Sequence, residues 1–328
     1  MLENFIKKRI DLAKPRKEGL TYTIDRLASL NRDDFSIVAP FIDQIKIPGS
    51  LALLTSEETI QKKINFYHDF DIRVSIAGAI TELAVLKKSF SKFLDDITKL
   101  GFDVVEIGEN SSDLELEQKK KIITQIQAKK LDYIFKIGKR DPRHQLGVEE
   151  TLAKVDEALS LGSSKVLLEA NQGISVGIYD ENSLIKWNFV SALTSKYPPN
   201  TFIFEAPLES QQSALIAEFG ERVNIAEVDV DSIITIESQR KGFLAKSSFG
   251  VSYLRKDPEG GPAVKFVYYI IKIKNPIDQA EIISMSHMPR RTVQSAIDEL
   301  KNQGLVIERN SMDDARKKVY HPVSSDWL

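Results

Sequence analysis

Short apolar runs in this 328-residue chain end on charged residues: Glu106 in Val-Val-Glu-Ile-Gly, Glu169 in Leu-Leu-Glu-Ala and Glu205 in Ile-Phe-Glu-Ala-Pro. Lys46 and Lys136 close two further runs, and Glu82 follows another. Carboxylates brought together in this way suit Mg2+, which takes hard oxygen ligands and keeps several waters; Glu106, Glu169 and Glu205 are the candidate ligands. Lysines among them could neutralise an anionic substrate or deliver a proton. The same side chains would equally pair with one another, cation against carboxylate. Other chemistries are closed by composition. With no cysteine, thiolate nucleophiles, disulfides, iron–sulfur clusters and cysteine-bound zinc are excluded. The four histidines, His68, His144, His287 and His321, are too scattered for a His-rich metal site.

The elements that must position these groups read as strands of near-continuous apolar character: Thr21–Asp25, Ile42–Ile47, Ile72–Gly78, Val104–Gly108, Tyr133–Gly138, Lys165–Ala170, Thr201–Ala206 and Val223–Val228. Parallel strands covered on both faces have this character. Roughly 30 residues separate successive strands, the length of one strand–helix unit. Helical spacing lies between them, as at Phe90, Phe93, Leu94, Ile97 and Leu100, closed by Gly101. Val230, Ile233, Ile234 and Glu237 read as the closing helix. Eight such units predict a (β/α)8 TIM barrel, whose strand C-termini converge on one mouth; a doubly wound open sheet is the alternative. Hydrophobic residues make up 42% and formal charge is −2, so a soluble globular protein with no bulk attraction for polyanions is expected. No apolar run approaches the ~20 residues of a membrane span, and the first residues lack a signal-peptide apolar core. A cytoplasmic location with no membrane partner is expected.

The runs Lys14-Pro15-Arg16-Lys17-Glu18-Gly19-Leu20-Thr21 with Asp25, then Lys62-Lys63-Ile64-Asn65-Phe66-Tyr67 and Leu100–Ile107, carry a resemblance of residues 10–248 to the phosphosulfolactate synthase family. It is strongest at Phe204-Glu205-Ala206-Pro207-Leu208-Glu209-Ser210-Gln211-Gln212, then Val223-Asn224, Glu237, Arg240 and Gly242. The resemblance implies a (β/α)8 barrel, Mg2+, and addition of sulfite to phosphoenolpyruvate. Lys46, Glu82, Glu106, Glu169, Glu205 and Arg240 are retained, and Lys139 matches a family lysine that could protonate the substrate carbon. With Lys136, those retained residues other than Lys139 form the expected ligand pocket. Departures fall on the chemical loops. The family's Gly-Trp-Gly-Thr-Ser is Pro48-Gly49-Ser50, its Pro-Gly-Gly-Thr is Ile76-Ala77-Gly78-Ala79, and its Ser-Asp-Gly is Gly108-Glu109-Asn110. A glutamate expected at the fifth strand's end is Lys136, an arginine expected after Glu169 is Asn171, and the closing Gly-Leu-Arg-Gly-Asp-Thr is Gly242–Ser247 without its Arg and Asp. Lost glycines remove close backbone approaches to a phosphate, and lost arginines its charge partners.

After Gly242 the pattern changes. A turn-rich linker at 249–262 includes Pro258-Glu259-Gly260-Gly261-Pro262, and 263–328 reads as helices Ala263–Lys274, Asp278–Ser286 and Arg290–Gln303, then strands Leu305–Arg309 and Lys317–Val323. Three helices and a hairpin predict a winged helix-turn-helix. Arg290, Arg291, Thr292, Gln294 and Ser295 open the third helix, where a major groove would be read. Arg309, Arg316, Lys317 and Lys318 lie in the hairpin, suited to phosphates or a minor groove. Asp314-Ala315-Arg316 resembles the Asp-x-Arg wing element of multiple-antibiotic-resistance-type regulators. The segment holds ten Lys/Arg against eight Asp/Glu, so it is mildly basic with its cations concentrated at those two places.

Two functions follow as expectations. One is a DNA-binding transcriptional regulator, homodimeric on double-stranded DNA, whose barrel (1–248) senses a small anionic metabolite or serves dimerisation without catalysis. The other is a Mg2+-dependent lyase of the phosphosulfolactate synthase type carrying an appended winged helix, with Lys139 catalytic.

Overall fold

The structure, a computed structural model, describes residues 14, 16–26, 31–110, 113–241, 258–303, 305–310 and 317–322. The chain divides into two compact units, Met1–Lys241 and Gly242–Leu328.

In the first unit, eight parallel strands close into a barrel in sequence order: β1 Thr21–Ile24, β2 Gln44–Ile47, β3 Arg73–Ile76, β4 Val104–Gly108, β5 Asp132–Ile137, β6 Val166–Leu168, β7 Phe202–Glu205 and β8 Asn224–Asp229. Closure by β1 with β8 rules out the open-sheet alternative. The helices are α1 Arg32–Val38, α2 Gly49–Leu54, α3 Glu57–His68, α4 Gly78–Leu86, α5 Phe90–Leu100, α6 Leu116–Ala128, α7 Val148–Ser160, α8 Trp187–Lys196, α9 Glu209–Phe219 and α10 Ile233–Arg240. Their starts carry the expected chemistry: Asn31 and Ser56 accept backbone N–H groups at the heads of α1 and α3. α5 buries Phe90, Leu94 and Ile97 on one face.

Strand alternation divides the apolar residues between two cores. Outward-facing Ile45, Ile47, Val105, Ile107, Phe135, Val166 and Phe204 pack under the helices in the main core. Inward-facing Tyr22, Val104, Ile134, Leu167, Ile203 and Ala226 fill the barrel as a separate layer. Two residues further along most of these strands, the inward positions turn polar: Glu106, Lys136, Glu169 and Glu205. The mouth therefore has an apolar floor and charged walls.

In the second unit, α11 Pro262–Ile273, α12 Gln279–Ser286 and α13 Arg290–Asn302 pack on a three-stranded antiparallel sheet of order β10 (Val306–Asn310), β11 (Lys318–Pro322), β9 (Ile277–Asp278). The two-residue β9 is absent from the sequence reading, being too short to show periodicity. Val267, Ile271, Ile282, Val293, Ile297, Leu300 and Tyr320 form its core. Asp278 caps α12 in a reciprocal pair with Glu281. His287, at φ 53, turns the chain between α12 and α13. Among the described residues, no helix is long and apolar enough to cross a membrane.

Candidate functional site

The barrel mouth is a continuous network of ion pairs. Lys46 Nζ lies 3.1 Å from Glu205 and 3.7 Å from Glu106, and also bonds Glu227. Lys136 Nζ lies 2.6 Å from Glu205 and 2.9 Å from Glu169, which Arg140 Nε reaches at 3.1 Å. Backbone donors complete the carboxylates: Gly78 N–H to Glu106 at 3.0 Å, Ala170 N–H to Glu205 at 3.0 Å and Asn171 N–H to Glu169 at 2.9 Å. The Tyr22 hydroxyl donates to Glu106. Gly138 and Gly177 press against Glu169, and a Cβ on either would fall 2.5 or 2.1 Å from its atoms. A cavity of about 20 Å3 beside Glu169 has room for one water.

Burial opposes the charge of Lys46, Lys136 and Glu205, yet their pairing outweighs it, whereas at Glu227 burial prevails and raises the carboxyl above its usual value despite Lys46. Desolvation alone would depress Lys46, but Glu106, Glu205 and Glu227 lift its ammonium well above the usual lysine value. Lys136 is likewise depressed by burial and raised on balance, Glu205 being its strongest partner. Burial would push Glu205 up, whereas Lys136 and Lys46 hold its carboxyl below the usual range. A carboxyl depressed in the folded state stabilises above its unfolded pKa, and that contribution is lost as pH falls through the folded value. The unfolding free-energy difference between wild type and Glu205→Gln should therefore be constant above about pH 5 and shrink below about pH 4.3. Urea titrations across this range check it; a difference independent of pH would show that Glu205 is not held ionised.

Five of the sequence candidates thus meet: Lys46, Glu106, Lys136, Glu169 and Glu205. The other three do not join them. Arg240, at the end of α10, reaches the opposite end of the barrel, where it donates to the carbonyls of Gly19 at 2.9 Å, Leu20 at 3.1 Å and Val223 at 3.0 Å. It is a brace for the strand N-termini, correcting its place in the pocket. Lys139 donates to the Glu109 carbonyl at 2.6 Å and to Asp113 at 3.0 Å. It belongs to a rim cluster with Lys154, which also reaches Glu109 and Asp113, and Lys119, which bonds Glu109 and Glu157. Lys154 and Lys139 hold Asp113 down to about 2. Glu82, on α4, accepts from Asn110 N–H at 3.3 Å.

The proposed metal ligands fare less well than the pocket. Glu106, Glu169 and Glu205 each have a lysine ammonium within 4 Å, and Lys136 sits between two of them. A divalent cation does not fit this donor set without displacing a lysine, since each of the three carboxylates already holds an ammonium partner. Among the described residues, no group of three or more His, Cys, Asp or Glu is placed to hold a metal.

Glu227, Arg140 and Tyr22 are site residues absent from the sequence candidates, and Glu227 is the least expected of them. β1 pairs Tyr22 with Ala226 and then Thr23 with Val228, so Glu227 is the extra residue of a bulge. Simple alternation from Asn224 and Ala226 would turn it outward. The only sequence signal was a carboxylate in an otherwise apolar run.

On the second unit, Arg290, Arg291, Thr292 and Ser295 are exposed and Gln294 is half-buried. Arg290, Arg291, Gln294 and Ser295 line one open concavity along α13, with Asp298, Glu299 and Asn302 further along it. Within this concavity the positive charge lies at the helix's N-terminal end, while Lys301 in the last turn pairs with Glu308. Gln294 bonds Gln279 and, at 3.0 Å, Asp298. Lys317 pairs with Asp278 and Lys318 with Glu308. Arg309 is placed in β10 by its backbone, while Arg316 and the rest of 311–316 lie outside the described residues.

The sequence matches the family model described as (2R)-phospho-3-sulfolactate synthase (ComA) over residues 11–246. A relative named phosphosulfolactate synthase from Methanocaldococcus jannaschii is 31% identical over 239 residues, covering 71% of this chain and 95% of the relative. Its namesake from Methanothermobacter thermautotrophicus is 30% identical over 234 residues, covering 70% and 91%. A third of the same name, from Bacillus subtilis, is 26% identical over 241 residues, covering 72% and 94%. With most of its length, and all eight strands of its barrel, inside the match, this chain belongs to the phosphosulfolactate synthase family.

Proposed function

We propose that this chain is a DNA-binding regulator whose family barrel has become a ligand-sensing or dimerisation domain. The observation that carries the reading of the barrel is Lys136, a cation between Glu169 and Glu205 where the family resemblance expects a carboxylate. It gives the carboxylates of Glu169 and Glu205 a shared lysine partner in place of a further metal-ligating oxygen. Function is argued from such sites and not from the fold. For residues 242–328, the order helix, strand, helix, helix, strand, strand on a three-stranded sheet supports a winged helix-turn-helix. The family match ends at residue 246, before the first of these helices at Pro262. The exposed Arg290 and Arg291 at the head of α13 are suited to guanine edges, and Lys317 and Lys318 to phosphates. A homodimer on paired half-sites and a small anionic metabolite as effector complete the proposal. Such an effector acts by binding the DNA-competent and DNA-incompetent arrangements unequally.

Binding to the gene's own upstream region, at two salt concentrations and against an unrelated duplex, tests the reading. Arg290→Ala or Arg291→Ala should each cost about 1–3 kcal/mol on a specific site. Substituting Lys317 or Lys318 should weaken all sequences alike and flatten the salt dependence. Equal affinity of wild type and the double arginine variant would sink the assignment.

The family match favours a second reading, addition of sulfite to phosphoenolpyruvate, since all three relatives above carry the name of that synthase. On this reading Lys139 would supply the proton. Incubating the full chain with sulfite, phosphoenolpyruvate and Mg2+ decides it: turnover lost in Lys139→Ala would put the enzyme first.

A further inference from the structure

Glu227 occupies a position that folding alone does not favour. It is a non-glycine residue at φ 60, in the left-handed region where L-residues other than Asn and Asp are uncommon. The bulge that imposes this conformation also turns its side chain from the helix layer into the mouth. Backbone strain of this kind collects at functional positions.

Its place in the network is also distinctive. Lys46 already has Glu205 at 3.1 Å and Glu106 at 3.7 Å, so Glu227 is a third carboxylate on one ammonium. The side chains of Lys46, Glu106 and Glu205 are 4%, 1% and 1% exposed, whereas that of Glu227 is 15% exposed. Glu227 is therefore the outermost acceptor on Lys46. It has a second cation available: Arg26 Nη2, on a half-exposed side chain, lies 4.0 Å from its other carboxylate oxygen and is itself paired with Asp229.

We infer that Glu227 is a displaceable internal counter-ion, and that Lys46 is the binding group for a small oxyanion that takes the place of the Glu227 carboxylate. The anion would share Lys46 with the deeper Glu205 and Glu106, and the displaced Glu227 would turn to Arg26. This rests on the reading of the mouth as a ligand site. It adds the class of ligand, a phosphoryl or carboxylate group, and the residue that restrains binding. The internal carboxylate lowers apparent affinity by the fraction of molecules in which Lys46 is open.

Calorimetric titration of the full chain with inorganic phosphate and, separately, with pyruvate tests the inference. Glu227→Gln removes the competing charge, and Glu227→Asn does so with a residue that tolerates the left-handed conformation. Both variants should bind one of these anions at least tenfold more tightly than wild type. A gain for phosphate alone identifies a phosphoryl ligand, and a gain for pyruvate alone a carboxylate. A gain of less than tenfold for both anions overturns the inference, and equal binding by wild type and variants would do so while leaving the sensor reading standing. Tightened anion binding that leaves DNA affinity unmoved would instead overturn the sensor reading and keep this one.

Discussion

Replacing Arg240 with alanine should destabilise the barrel by about 3–5 kcal/mol, the scale for removing one partner of a buried ion pair. The guanidinium is buried and donates to three backbone carbonyls, Gly19, Leu20 and Val223. It also bonds Thr21 Oγ1 at 2.7 Å and Glu237 at 3.0 Å. Alanine would leave the carbonyls and a buried carboxylate without these donors, and each orphaned group costs its full desolvation penalty. The carbonyls flank β1 and β8, the two strands whose pairing closes the barrel, so the loss falls where the first strand must find the last. For a unit of this size the melting temperature should drop by about 10 °C. Arg140→Ala, at a side chain 42% exposed whose ion-pair partner among the described residues is Glu169, should cost far less. Denaturant midpoints for the two variants check this, and a loss below about 1 kcal/mol for Arg240→Ala would show that water replaces the brace.

The contrast between Arg240 and Lys46 shows which parts of the site were legible in the sequence. Lys46, Glu106, Lys136, Glu169 and Glu205 stand at the ends of apolar runs, and a barrel brings strand ends together whatever the loops do. Arg240 follows a strand by a whole helix, and nothing in its spacing says to which end of the barrel its side chain returns. Lys139 lies beyond the glycine at 138, where chain direction depends on φ, and it turns to the rim at Glu109 and Asp113. Glu227 was hidden by a register shift, because one extra residue reverses the facing of a strand and no local composition announces it. In the second unit, helix spacing made the three helices readable, while the pairing of β9 with β11 is a long-range choice that a two-residue segment cannot advertise.

Lys136 also carries the strongest test of how this barrel departs from its family. Lys136→Glu would restore the carboxylate that the resemblance expects and place it among Glu106, Glu169, Glu205 and Glu227, with Lys46 and Arg140 as the remaining cations. Lys136 is 2% exposed and bonds Glu205 and Glu169 at 2.6 and 2.9 Å, so the change removes a buried partner and adds a like charge. Without metal, the variant should lose about 3–5 kcal/mol, or about 10 °C in melting temperature. The surplus carboxylates then form a hard-oxygen set that a divalent cation can neutralise. Millimolar Mg2+ should recover part of the loss, because a ligand that binds only the folded state stabilises it. Wild type, with Lys136 between Glu169 and Glu205, should melt at the same temperature with and without Mg2+. The reverse result, a wild type stabilised by Mg2+ and a Lys136→Glu variant indifferent to it, would mean that the mouth holds its metal with lysine in place. The synthase reading would then displace the regulator for the barrel, and Lys136 would have to be understood as a cation positioned for an anionic substrate.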